Sequence, residues 1–77
     1  MNSYYKVLKS DNDFFAAALA QSQVSVWFRL DLDPVGHLMD NGGIVEGYTP
    51  QSIKIAGARF VRERFEFRAE LDRLPNW

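Results

Sequence analysis

The stretch "ARFVRERFEFRAEL", Ala58 to Leu71, constrains the fold more than any other. Its apolar residues stand first on even positions (Ala58, Phe60) and then on odd ones (Phe65, Phe67, Ala69, Leu71), with Arg62-Glu63-Arg64 between. Two readings compete. As one helix, Ala58, Val61, Phe65 and Ala69 align, and Arg59–Glu63 and Arg62–Glu66 become supporting i,i+4 pairs. As two strands, each half alternates cleanly and the charged triplet is a turn between them. Phe67 separates the two, because it lies off the helical stripe but on the strand one. The strand reading also supplies partners for the short strands that precede it, and it is the one carried forward.

Upstream, "SDNDFFAAALAQSQ" predicts a helix over about 11–22. Ser10, Asp11 or Asn12 can cap it, and Asp11 and Asp13 suit the positive end of its dipole. Phe14, Phe15, Ala18 and Leu19 form its expected apolar stripe. So short a helix is marginal alone in water and must lie on something. "VSVWFRL" begins a strand over about 24–30, with Val24, Val26 and Phe28 on one face and Trp27 and Arg29 on the other. "DNGG", Asp40 to Gly43, is a turn signal, or else a place where glycines let a strand bend or bulge. Strands are expected over about 37–48, 52–56, 58–62 and 64–70. Thr49-Pro50-Gln51 forms a turn and 71–77 a tail.

The 77 residues make one domain with a small core, and there is no cysteine to staple it. Oligomerisation is therefore the expected source of further burial. Nine Lys and Arg against ten Asp and Glu give a net charge of −1, without the basic excess typical of nucleic-acid binders. No apolar run is long enough to span a bilayer, and "MNSYYKVLKS" lacks the apolar centre of a signal peptide. A cytoplasmic protein is expected, with no membrane partner. The single His37 has no cysteine or second histidine for a metal site or proton relay, and no serine sits in a nucleophile motif. "DLDPVG" opens like a calcium loop through Asp31, Asp33 and Gly36, but Val35 takes a ligand position and Gly42 stands where the bidentate Glu belongs. No enzyme, metal or small-molecule cofactor is expected.

The order of helix, strand, bent glycine-containing strand, strand and two strands split by a charged turn resembles the Sm-like (LSm) family. The closest likeness is to its bacterial RNA-chaperone branch, the Hfq proteins. The likeness covers about 13–67 and rests on "FFAAALAQSQVSVWF", "GGIVEGYTPQSIKI" and "RFVRERFEF". The segment before Gly43 is longer than the family's, the polar turn lacks its acidic and Asn residues, and Glu63 interrupts the basic turn. The resemblance implies a mainly β domain: a short N-terminal helix, then a five-stranded, strongly bent, SH3-like or Sm-like open barrel. It implies a homo-oligomeric ring whose neighbours pair through the "ARFV" and "FEFRAEL" edges, with Phe60, Phe65 and Phe67 at the interface. It further implies non-enzymatic binding of single-stranded RNA, or DNA, at two pore-lining turns: Tyr48, Thr49, Pro50 and Gln51 in one, Arg62 and Arg64 in the other. Gln reads base edges, Arg pairs phosphate, and an aromatic ring offers a stacking face. Plainer roles compete: Tyr48 in the core, Gln51 solvated, and Arg62 and Arg64 paired with Glu63 and Glu66. Lys6, Lys9, Gln21 and Gln23 could form a second surface. A protein-interaction or structural adaptor on the same barrel, without nucleic acid, is the alternative.

Overall fold

The computed structural model describes residues 5–28 and 36–70. Among them are seven strands and one helix: β1 (Tyr5–Leu8), α1 (Asp11–Ala20), β2 (Val24–Phe28), β3 (His37–Gly43), β4 (Val45–Tyr48), β5 (Ser52–Ile55), β6 (Ala58–Val61) and β7 (Phe65–Glu70). The protein is mainly β. Sheet A has the antiparallel order β1-β7-β2-β3 and sheet B the order β4-β5-β6.

The phase slip at Arg62-Glu63-Arg64 is a turn between strands, yet it makes no hairpin. β6 pairs with β5, and β7 pairs with β2 and β1, so the three residues carry the chain from sheet B to sheet A. A period-two slip suits this transfer, because the same core lies on opposite sides of the two strands as the chain crosses.

The expected strand over 37–48 is real but divided. At Gly42 the backbone enters the left-handed region (φ 74°), and a Cβ there would lie 1.8 Å from the Val24 carbonyl oxygen. No side chain fits, so β3 passes closely over β2 and the chain then continues into sheet B as β4. The Asp40 carboxylate accepts the Gly42 N–H at 2.6 Å and holds the bend.

β1 was not expected. It pairs with β7 in the register Tyr5↔Glu70 to Leu8↔Phe67. This corrects the expected edges: β7 is flanked on both sides, by β1 and β2, and only β6 of the two remains an edge. With β1 added and the bent strand counted as two, seven strands replace five, and no pairing closes a barrel among the described residues.

Of the three cap candidates Ser10, Asp11 and Asn12, Ser10 is the one that caps α1. The Ser10 hydroxyl accepts the Asp13 N–H at 3.1 Å, and the Asp13 carboxylate accepts the N–H groups of Ser10 (3.1 Å) and Lys9 (2.9 Å), a reciprocal cap. The helix ends at Gln21, in the left-handed conformation, with Ser22 N–H donating to the Ala17 carbonyl at 3.0 Å. Its buried ridge is Phe14 and Ala17, with Ala18 beside them, packed on β4. The expected stripe is corrected here. Phe15 is 53% exposed and Leu19 74%, because the narrow helix seats one large ring and lets small alanines approach the sheet.

The core joins both sheets: Val24, Val26, Phe67 and Ala69 from sheet A meet Val45, Ile53 and Ile55 from sheet B, with Leu8 and Phe14 closing one end. Phe67 stacks edge-on against Phe14 at 5.4 Å, and Phe60 against Phe65 at 5.7 Å. Phe67 is only 2% exposed, so it is core and not available to an interface between copies. Phe60 and Phe65 are half-buried around it. The tail over 71–77 and Arg29, Asp31, Asp33 and Val35 lie outside the described residues.

Two predictions follow from this geometry. The β5–β6 turn places Ala56 (φ 49°) and Gly57 (φ 83°) both in the left-handed region, where Asn-Gly is preferred and Ala is strained. Ala56→Asn is expected to add about 1 kcal/mol and raise Tm by roughly 4–8 °C in a thermal melt. The second concerns acid. The Lys9 and Ser10 N–H groups, then the Lys6 ammonium, hold the Asp13 carboxyl at about 2, below the usual 3.8. A depressed folded-state value stabilises the fold above the unfolded value, and that increment is lost as pH falls from 3.8 through about 2. Urea midpoints measured across this window should fall for the wild type and fall less for Asp13→Asn.

Candidate functional site

The two turns singled out in the sequence do meet. Thr49 organises the first: its hydroxyl accepts the N–H groups of Gln51 (3.1 Å) and Ser52 (2.9 Å), while its own N–H donates to the Ser52 carbonyl at 2.8 Å. Arg62 N–H then donates to the Gln51 carbonyl at 2.9 Å, which lays the β6–β7 turn beside the β4–β5 turn. Arg64 N–H donates to the Val61 carbonyl at 3.1 Å and tightens the second turn.

The side chains divide sharply in role. Arg62 points inward, with its side chain only 14% exposed. One guanidinium nitrogen donates to the Asp11 carboxylate at 2.6 Å and the Thr49 carbonyl at 2.7 Å, and the other donates to the Lys9 carbonyl at 2.9 Å. Its carbon lies 4.7 Å from the centre of the Phe14 ring. The partner is Asp11, 51 residues away in sequence, and not the nearby Glu63 or Glu66. Tyr48 packs against the core, its ring 6.4 Å from that of Phe14. Pro50, Gln51 and Arg64 are exposed.

Between the turns and the β1–α1 junction opens a groove of about 520 Å³. Phe14, Phe65 and Phe67 contribute its aromatic floor, and Lys9, Pro50 and Glu63 stand at its rim. Glu66 also borders it but is paired with Arg68, two residues along the same strand β7. Arg68 is itself buried, its guanidinium 4.0 Å from the Trp27 ring and 5.0 Å from the Tyr5 ring. That stack ties β1, β7 and β2 together on the outer face of sheet A. Alternation marks Arg68 as outward-facing, but it does not reveal that two rings from other strands enclose it.

The arrangement offers shape and apolar contact, with one ammonium and one carboxylate at its mouth. Among the described residues, no group of His, Asp and Glu could hold a metal ion, and no helix is long and apolar enough to cross a membrane. Lys6, weighed for a second surface, instead pairs with Asp13 at 3.3 Å, and the Gln23 amide donates to the Asn41 carbonyl at 2.9 Å. No family model, curated protein or solved structure matches the chain.

Arg62 should therefore behave as a structural residue. Arg62→Ala leaves two carbonyls and a carboxylate without their donor, and is expected to lower stability by about 2–3 kcal/mol in urea denaturation. Arg62→Lys should recover only part of it, since an ammonium cannot reproduce the planar fork. Arg64→Ala, on the exposed side of the same turn, is expected to shift stability by less than about 0.5 kcal/mol.

Proposed function

We propose that the chain is a non-enzymatic protein-interaction module, built on a small, strongly bent, SH3-like or Sm-like open barrel. The barrel reading is supported by the continuous run of strands from β7 through β2 and β3, around the bend at Gly42, to β4, β5 and β6. The observation that carries the function is the inward Arg62. With its guanidinium held by Asp11 and two carbonyls, the converging turns enclose an aromatic-floored groove and not a cationic pore. Such a groove suits one apolar side chain of a partner, with polar rim groups setting its orientation.

Single-stranded nucleic acid is the less well supported reading. It needs several free cations per subunit or a ring that multiplies a few. Here Arg64 is the exposed arginine of the two candidates, Glu63 stands beside it, and β1 covers the β7 edge through which a ring was expected to pair.

The test is a selection from a displayed random-peptide library, set beside an anisotropy titration with a labelled oligouridine at low and high salt. Selected peptides should share one large apolar residue, and Pro50→Arg or Glu63→Arg should weaken them by about tenfold. The oligouridine should not bind at low salt. Salt-dependent RNA binding that Arg64→Ala abolishes would overturn the proposal in favour of nucleic acid.

A further inference from the structure

Sheet B turns Val45, Tyr48, Ile53, Ile55 and Phe60 toward the core, and Val61 stands exposed on the other face. The opposite face carries one row across three strands, with Gly47 opposite Lys54 on one side and Arg59 opposite Lys54 on the other. Two features of this row work against stability. Lys54 and Arg59 are like charges placed directly opposite, which disfavours the pairing. Their closeness follows from the ladder. The Arg62 N–H to Gln51 carbonyl bond makes Gln51/Arg62 a hydrogen-bonded pair, and alternation gives the same character to Ile53/Phe60 and Ile55/Ala58. Lys54/Arg59 is then a non-hydrogen-bonded pair, the kind in which facing side chains stand closest.

Among the described residues no carboxylate pairs with either. The ion pairs among the described residues are Lys6–Asp13, Arg62–Asp11 and Arg68–Glu66, and the one polar contact of this pair is Arg59 to the Ser52 hydroxyl at 3.3 Å. Glu46, on the adjoining strand, instead accepts the Gly57 N–H at 3.1 Å.

The second feature is Gly47. It has no left-handed φ, and a Cβ there would meet nothing within 4 Å, so neither backbone nor packing requires a glycine. A strand glycine of this kind weakens the sheet and leaves a flat approach. Local choices that disfavour the fold, gathered on one row, are where function is expected.

The same register leaves β6 with an open edge. Since Phe60 and Ala58 bond toward β5, the N–H and C=O of Arg59 and the N–H of Val61 point away from it. An extended segment added there would exchange main-chain bonds with Arg59, and its residue opposite Arg59 would stand on the charged face. We infer that β6 and the outer face of sheet B form a docking surface for an acidic, extended peptide segment of another protein. The segment adds as a strand to β6 with a carboxylate beside Arg59 and Lys54.

Charge complementarity selects this occupant. A single nucleic-acid strand would want a ring to stack on, and this face offers none among Gly47, Ser52, Lys54, Arg59 and Val61. A second copy adding through the same edge, β6 against β6, would bring Arg59 to Arg59. The surface is separate from the groove, so either can fail alone.

The experiment titrates the isotopically labelled full chain with Ac-Thr-Val-Glu-Val-Glu-Val-Thr-NH2, its Lys-for-Glu counterpart and an oligothymidine, reading backbone amide shifts. Saturable shifts over Lys54 and Ala58–Val61 are expected with the Glu peptide alone. Arg59→Glu should weaken it by about tenfold, and so should Val61→Pro, which removes an outward N–H while keeping both cations. The inference is overturned by no response, by equal binding of the Lys peptide, by oligothymidine shifting the same residues, or by shifts confined to Pro50, Glu63 and Phe65, which assign the peptide to the groove.

Discussion

The inward guanidinium of Arg62 is the interaction on which the rest depends. It sits where three connections converge: the β1–α1 junction through the Lys9 carbonyl, the β4–β5 turn through Thr49, and the start of α1 through Asp11. A planar, permanently charged fork suits this place, since several acceptors at different angles are met by donors in fixed directions. By lying against the Phe14 ring it also fixes the residue that closes the core between the two sheets. Neither the short helix nor the short strands would hold alone. One side chain joins them at little entropic cost because its neighbours already define its path.

The same economy governs the sheet edges. β7 would present exposed backbone groups, and β1 covers them with four residues anchored by Leu8 in the core and Tyr5 over Arg68. β6 keeps its edge open but carries an uncompensated Arg59, a charge of the kind that discourages indiscriminate strand addition.

Much of the fold was legible in local patterns. The slip in apolar phase at Arg62-Glu63-Arg64 separated β6 from β7, the run Ser10-Asp11-Asn12 marked the start of α1, and the glycine pair marked a place where the strand could bend. Each is a short-range rule, so few residues suffice to state it. β1 escaped notice because four residues with mixed exposure carry almost no periodic signal. The buried ridge of α1 was misread because "FFAAALA" is apolar on every side, so periodicity cannot choose a face. For the candidate site, the family resemblance singled out two turns that do meet, but not the direction in which their arginine points.

What the sequence by itself determined is where the backbone changes state: a capped helix, alternating strands, a glycine pair that lets a strand bend, and a turn that resets the register. Tertiary structure decided which of two phenylalanines on α1 is buried, which edge β1 covers, and whether Arg62 faces phosphate or protein. The reason is physical. Backbone preferences arise from atoms a few residues apart, whereas the environment of Arg62 is created by Asp11, 51 positions earlier, and by carbonyls that come together only when both sheets have formed.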